Sequence, residues 1–164
     1  MIGGLELSSE VVLASRWSRF GATSIDAIIS MAFNIPIILY TDIGARLISL
    51  QALSITDVLL SAIYSMIAYI LCHGYLLHKK GQTIGKYVFG ISIVNMKGEL
   101  IGFPKIYLKR NLPVGMAAYI PFIGGYLPLA DMLFIFRKDK RCMHDLIAGT
   151  QVVSVAVKKD TDFN

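Results

Sequence analysis

The sequence predicts an α-helical integral membrane protein with about four transmembrane or re-entrant segments and a small cytoplasmic β-hairpin. Three observations carry that prediction. The 164 residues are 55% hydrophobic and only 16% charged, with a mean hydropathy of +0.61, whereas soluble domains run at about 45–50% apolar and about 25% charged. Two apolar runs, 20–40 and 58–77, reach the ~20 residues a helix needs to cross the hydrocarbon core. The Lys and Arg behind the net charge of +5 fall beside apolar runs. In that setting they read as cytoplasmic flanks that favour anionic headgroups, and nucleic acid is not an expected partner.

The elements follow in chain order. Glu6 and Glu10 precede any apolar run, and no basic region leads into a short apolar stretch, so a secretory signal is not expected. Run 20–40 carries one acid, Asp26, and a proline, Pro36, close enough to the far end for a kink to be tolerated. A short mixed stretch, 41–56, leads to run 58–77, interrupted only by His73. Tyr40, Tyr64, Tyr69 and Tyr75 suit interfacial or packing positions.

Segment 78–110 is wet, with seven Lys or Arg against the single acid Glu99. Alternation over 88–94, the turn residues Asn95, Met96, Lys97 and Gly98, and a return over 99–103 predict a hairpin at the membrane surface. Residues 150–157 read as a last strand that could join it.

Region 111–136 is broken by Pro113, Pro121, Gly124, Gly125 and Pro128. One kinked span would fit its length, and so would two short segments bent around 121–125. Charge decides between them. The flank after it carries Arg137, Lys138, Lys140, Arg141, Lys158 and Lys159, and basic flanks stay on the cytoplasmic side. A bent pair keeps that flank, segment 78–110 and Arg16 with Arg19 on one side. The expected arrangement is therefore one membrane domain in a bacterial inner membrane, with both termini cytoplasmic. Its core is 15–153, and 1–14 and 158–164 are flexible ends.

An Asp inside a spanning helix costs about 2.5–3.5 kcal/mol on insertion scales, so it is expected to face a partner or a cavity. Asp26 follows Arg19 by about two helical turns, which puts both on one face some 10 Å apart along the axis. Asp131 precedes Arg137 by about 9 Å of helix. Arg110 falls at a similar depth if the third segment enters from the same side. Asp26, Asp131, Arg110 and Arg19 are thus expected to form one buried cluster, with Arg110 the favoured partner of Asp26. Its function is either to bind an ion or to lock the helices together.

Several of these residues resemble a known family. Trp17, Ser18, Arg19, Phe20, Gly21 and Ala22, followed by Ile25 and Asp26, resemble the opening of the RDD family of membrane proteins. Gly81, Gln82, Thr83, Ile84, Gly85 and Lys86, with Gly90 to Val94 and Gly98, resemble its central signature, and Arg110 matches the arginine that follows. Asp131, Arg141, His144 and Asp145, with Ala148 to Thr150, Val152 and Val153, resemble its C-terminal signature. The likeness covers about residues 15 to 153. The family is named for one arginine and two aspartates. Arg19 and Asp26 match the first two, and both Asp131 and Asp145 fall at positions like that of the third. The resemblance implies a transport-linked membrane protein, with sodium–proton exchange connected to some members. Membrane lipid, sodium ion or proton, and a homo-oligomer or partner membrane protein are the partners to expect, or else a non-transporting scaffold for a partner complex.

Other signals read more plainly. The stretch 81–86 falls one residue short of a phosphate-binding loop, and Tyr87 stands where Ser or Thr would hold magnesium. It reads instead as a tight turn, with Lys86 toward headgroup phosphates. His144 and Asp145 are adjacent, so on a helix they point to different sides, and no nucleophile with its own signature accompanies them. No enzymatic activity is expected. Asp145 is expected near a helix start at the surface, paired with a basic neighbour. His73 and His78 read as interfacial histidines. Cys72 and Cys142 form no metal or redox motif, and neither a metal nor a cofactor is expected.

Overall fold

The computed structural model describes residues 12–117, 120, 123–124 and 126–155. It is mostly helical, with one small antiparallel sheet. Helix α1 (Arg16–Tyr40) starts where the Ser15 hydroxyl accepts from the Ser18 N–H, which satisfies one of the free donors of the first turn. Pro36 lies near its end. Helix α2 (Asp42–Ile48) is a short connector. Helix α3 (Ile55–Lys80) opens on a reciprocal capping box between Ser54 and Asp57. It closes at Gly81, whose φ of +63° is the left-handed conformation that ends helices. A Cβ at Gly81 would also meet the Ile93 carbonyl at 2.6 Å, so sequence and space both require glycine there.

Helices α1 and α3 are long and apolar enough to cross a membrane. Only 11% of the most apolar window of α1, and none of that of α3, is buried within the protein. Large side chains such as Ile28, Met31, Leu39, Leu71 and Tyr75 point outward. Water would oppose so much exposed apolar surface, and lipid solvates it. The two helices meet through polar contacts: Tyr64 Oη donates to the Phe33 carbonyl at 2.8 Å, and Ser65 Oγ donates to Asn34 Oδ1 at 2.9 Å. Such bonds hold helices together where no hydrophobic force operates between them.

The wet segment departs from the expected hairpin. After α4 (Ile84–Val88), strand β1 (Ile91–Asn95) pairs antiparallel with β2 (Thr150–Ser154), from Ile91 opposite Ser154 to Asn95 opposite Thr150. Residues 99–103 contribute only an isolated bridge between Val94 and Leu100. The reason is burial. Ile91, Ile93 and Val152 share one small core with Ala14, Ala22, Leu77, Ile101 and Ile106, which a local hairpin could not supply. Val12 to Ala14, assigned by sequence to a flexible end, run beside β2, with Ala14 N donating to Val152 O and Ser154 N to Val12 O, both at 2.9 Å. Residues 1–11 and 156–164, which include the rest of both expected flexible ends and Val157, lie outside the described residues.

The described residues of region 111–136, and those leading into it, are irregular. Helix α5 (Phe103–Ile106) runs into a π-helical turn, Tyr107–Asn111, and then into α6 (Leu112–Ala117). Pro113 explains the turn. Its ring crowds the carbonyl four residues back and it donates no N–H, and the backbone answers with a wider ring closed from the Leu112 N–H to Tyr107 O. Helix α7 (Leu127–Leu133) packs against α6 and passes into a 3₁₀ turn, Phe134–Phe136. Residues 121, 122 and 125 of the expected bend lie outside the described residues. Helix α8 (Met143–Ala148) precedes β2.

Candidate functional site

The polar residues singled out in the sequence gather at the end of α1 and α3 that meets the sheet, in three linked groups. The first centres on Asp145, three residues into the turn that begins at Cys142. It is wholly buried, and Arg19 of α1 and Arg110 of the π-helical turn both reach it. Arg19 Nη2 pairs with Oδ2, and Arg110 Nε donates to Oδ1 at 2.9 Å. Thr150 Oγ1 adds a bond at 3.0 Å and the Cys142 N–H one at 3.3 Å. Burial alone would raise the Asp145 pKa, yet Arg110, His144 and Arg19 outweigh it and hold the carboxyl well below the usual range.

The second group centres on Asp26. Thr83 Oγ1 donates to its Oδ2, the Gly85 N–H donates to Oδ1 at 2.8 Å, and Lys86 Nζ lies 3.5 Å from Oδ2. Helix α4 can approach this closely because residue 85 is glycine: a Cβ there would meet the Ala22 carbonyl at 2.1 Å. The Lys86 ammonium turns inward to Asp26 and Thr83, with its side chain 12% exposed, rather than out to headgroup phosphates. Burial first, and the Arg110 charge next, pull it down to about 8.

The third group is Asp131 with His144. The His144 backbone N–H donates to Oδ1 at 2.8 Å, and the ring Nδ1 bonds Oδ2. Burial and the Arg110 charge lower the His144 pKa. Asp131, Cys142 and His144 bring one potential ligand atom each within 4.8 Å of one another. The donor chemistry argues against a metal ion between them. Cys142 Sγ already accepts from Arg19 Nη2 at 3.4 Å, and burial pushes the thiol up to about 11, whereas a metal needs the thiolate. Both oxygens of Asp131 are taken, and two buried guanidiniums stand close by.

The expected cluster is therefore divided. Arg19 and Arg110 come together, but on Asp145. Arg110 is not the partner of Asp26, and Asp145 is not at the surface. The expectation rested on depth along straight helices, and the π-helical turn aims Arg110 at α8. His73 is also buried, not interfacial, and its Nδ1 accepts from the Ile84 N–H at 3.3 Å. Gly81 and Thr83 shape the turn that carries Gly85 and Lys86 to α1. The sequence reading missed Lys86 as the partner of Asp26 and Asp145 as the hub. One signal was present for each. Thr83 and Lys86 are spaced as helix cap and third residue, and so are Cys142 and Asp145.

The RDD family model matches residues 13–149. The uncharacterized protein YckC of Bacillus subtilis (strain 168) is 33% identical over 139 residues, 85% of this chain and 83% of that protein. No solved structure matches.

Proposed function

Because the chain belongs to the RDD family of membrane-associated proteins, we propose that it is a multi-pass inner-membrane protein that exchanges a small cation, sodium being the first candidate, for a proton at the Asp26–Lys86 pair. The observation that carries this reading is the buried lysine of that pair: both Asp26 oxygens accept hydrogen bonds, from Thr83 and Gly85, but the cation beside them can lose its proton. Asp145 is saturated by two arginines, and Asp131 by His144. Asp26 faces a lysine at 3.5 Å whose charge can be removed near neutral pH. While Lys86 is protonated, its ammonium neutralises Asp26. When it loses its proton, the carboxylate and the Thr83 hydroxyl offer hard oxygen ligands to a cation. One proton leaves as one cation binds, so the buried charge stays balanced throughout.

In proteoliposomes of the purified chain, a sodium gradient should drive counter-movement of protons. The rate should rise as pH increases through about 8, because deprotonation of Lys86 frees Asp26. Asp26→Asn should abolish the flux, and Lys86→Gln should remove its pH dependence. Asp131→Asn should leave it in place. A wild type with no flux driven by sodium or pH sinks the exchange reading. The saturated Asp145 hub then favours a non-transporting scaffold that holds a partner complex.

The proposal carries a topology. Helices α1 and α3 cross the bilayer, α6 and α7 form a bent pair entering from the cytoplasmic side, and the sheet lies on that side with both termini. The Lys/Arg excess beside these segments supports it. Cysteine placed at Lys97, in the exposed turn after β1, should resist an impermeant thiol reagent in intact cells and react once they are opened. Labelling in intact cells would invert the orientation.

A further inference from the structure

A half-open cavity of about 470 Å³ lies midway along α1 and α3 and is bordered by the π-helical turn and α6. That is a size typical of small-molecule sites. Its lining among the described residues is mainly apolar and contains no Asp, Glu, Lys or Arg. Its polar lining includes Ser30, Asn34, Ser65 and Asn111 together with Tyr69 and buried His73, whose rings lie 4.8 Å apart. The His73 Nδ1 accepts from the Ile84 N–H, so the neutral ring carries its proton on Nε2. Among the described residues no hydrogen bond engages Nε2. Asn111 Nδ2 donates to the Tyr69 oxygen at 2.5 Å, which leaves the phenol proton to donate elsewhere. Two donors thus line a slot whose walls hold no Asp, Glu, Lys or Arg among the described residues, and the flat rings of Phe33 and Tyr107 are among those walls.

We infer that this cavity binds a lipid-soluble quinone, with His73 Nε2–H and Tyr69 O–H donating to a ring carbonyl and the apolar tail lying along Ile29 and Met116. Donors without a cation select a neutral acceptor. They disfavour a fatty-acid carboxylate or a phospholipid phosphate, because Arg110 and Lys86, whose charges reach Tyr69 and His73, are already paired with Asp145 and Asp26. Aromatic walls select a flat ring over a single acyl chain. The inference concerns binding alone and requires no electron transfer. It does not rest on cation exchange: saturable quinone binding is expected even of a wild type that shows no flux driven by sodium or pH, so the two readings fail separately.

The test is equilibrium binding of decylubiquinone to the detergent-solubilised full chain, with decanol and decanoate as competitors. Saturable binding near one per chain is expected. Tyr69→Phe and His73→Phe should each weaken it about tenfold or more. Gly115→Leu should weaken it without unfolding the protein, since a Cβ at that lining position meets nothing within 4 Å. Absence of saturable binding overturns the inference. So does wild-type affinity in both Tyr69→Phe and Gly115→Leu. Displacement by decanol or decanoate at concentrations equal to the quinone would assign the cavity to any aliphatic chain and overturn it as well.

Discussion

Asp145→Ala should destabilise the protein by about 3–5 kcal/mol, the usual cost of removing one member of a buried ion pair. Here the loss falls at the upper end, because two guanidiniums, Arg19 and Arg110, are left buried without their shared carboxylate. Asp145→Asn should restore little, since an amide keeps the shape and one acceptor but not the charge. Thermal unfolding in mild detergent, together with the yield of monodisperse protein, measures both variants. Wild-type stability in Asp145→Asn would mean that the arginines are held by something other than charge. The same residue sets an acid limit. Its folded pKa lies below the unfolded value of 3.8, so its contribution is complete above about pH 4–5 and is lost as pH falls further. The unfolding temperature should drop on that acid side in the wild type and change less in Asp145→Asn.

Gly85→Ala should be nearly as damaging, although it adds a single methyl group. The new Cβ would stand 2.1 Å from the Ala22 carbonyl and 2.9 Å from Asp26 Oδ1. Backbone cannot swing aside as a flexible side chain can, so α4 must move off α1. Overpacking typically costs about 1–3 kcal/mol. Stretching the bond from the Gly85 N–H to Asp26 removes a charge-assisted hydrogen bond worth roughly 1.5–3 kcal/mol more. Asp26→Asn in the same background should then cost less than it does alone, because the two changes remove overlapping interactions. Independent, additive losses would show that α4 is not seated on α1 through Asp26.

The membrane character of the chain was legible because it is written in contiguous residues. Runs 20–40 and 58–77 announce α1 and α3 by length and composition. The antiparallel sheet was legible in part: β1 alternates as a strand should, and β2 was recognised as one that could join it. The choice of partner depends on a core shared by Ala14, Ala22 and Leu77 from distant parts of the chain, and no local pattern records that. The site shows the same division. Arg19, Asp26, Arg110, Asp131 and Asp145 were all recognisable as residues of interest, but their pairing depends on rotation about helix axes. At Arg110 the π-helical turn breaks the 3.6-residue period on which such estimates rely. Lys86 was misdirected for another reason. A lysine beside a membrane ordinarily seeks headgroups, and only the approach of α4 through Gly85 reveals the nearer carboxylate.

The bond between Arg19 and Asp145 spans 126 positions of sequence. A ribosome makes a chain from its N-terminus at about 5–20 residues per second, so Arg19 emerges many seconds before the carboxylate that neutralises it. Until then the Arg19 guanidinium lacks the carboxylate it pairs with in the folded protein. The strand that lies beside Val12 to Ala14 arrives later still. The contacts that close the N-terminal end of α1 therefore form only after residues 145–154 have been made, and a chain halted before Asp145 holds Arg19 and Arg110 without the carboxylate they share.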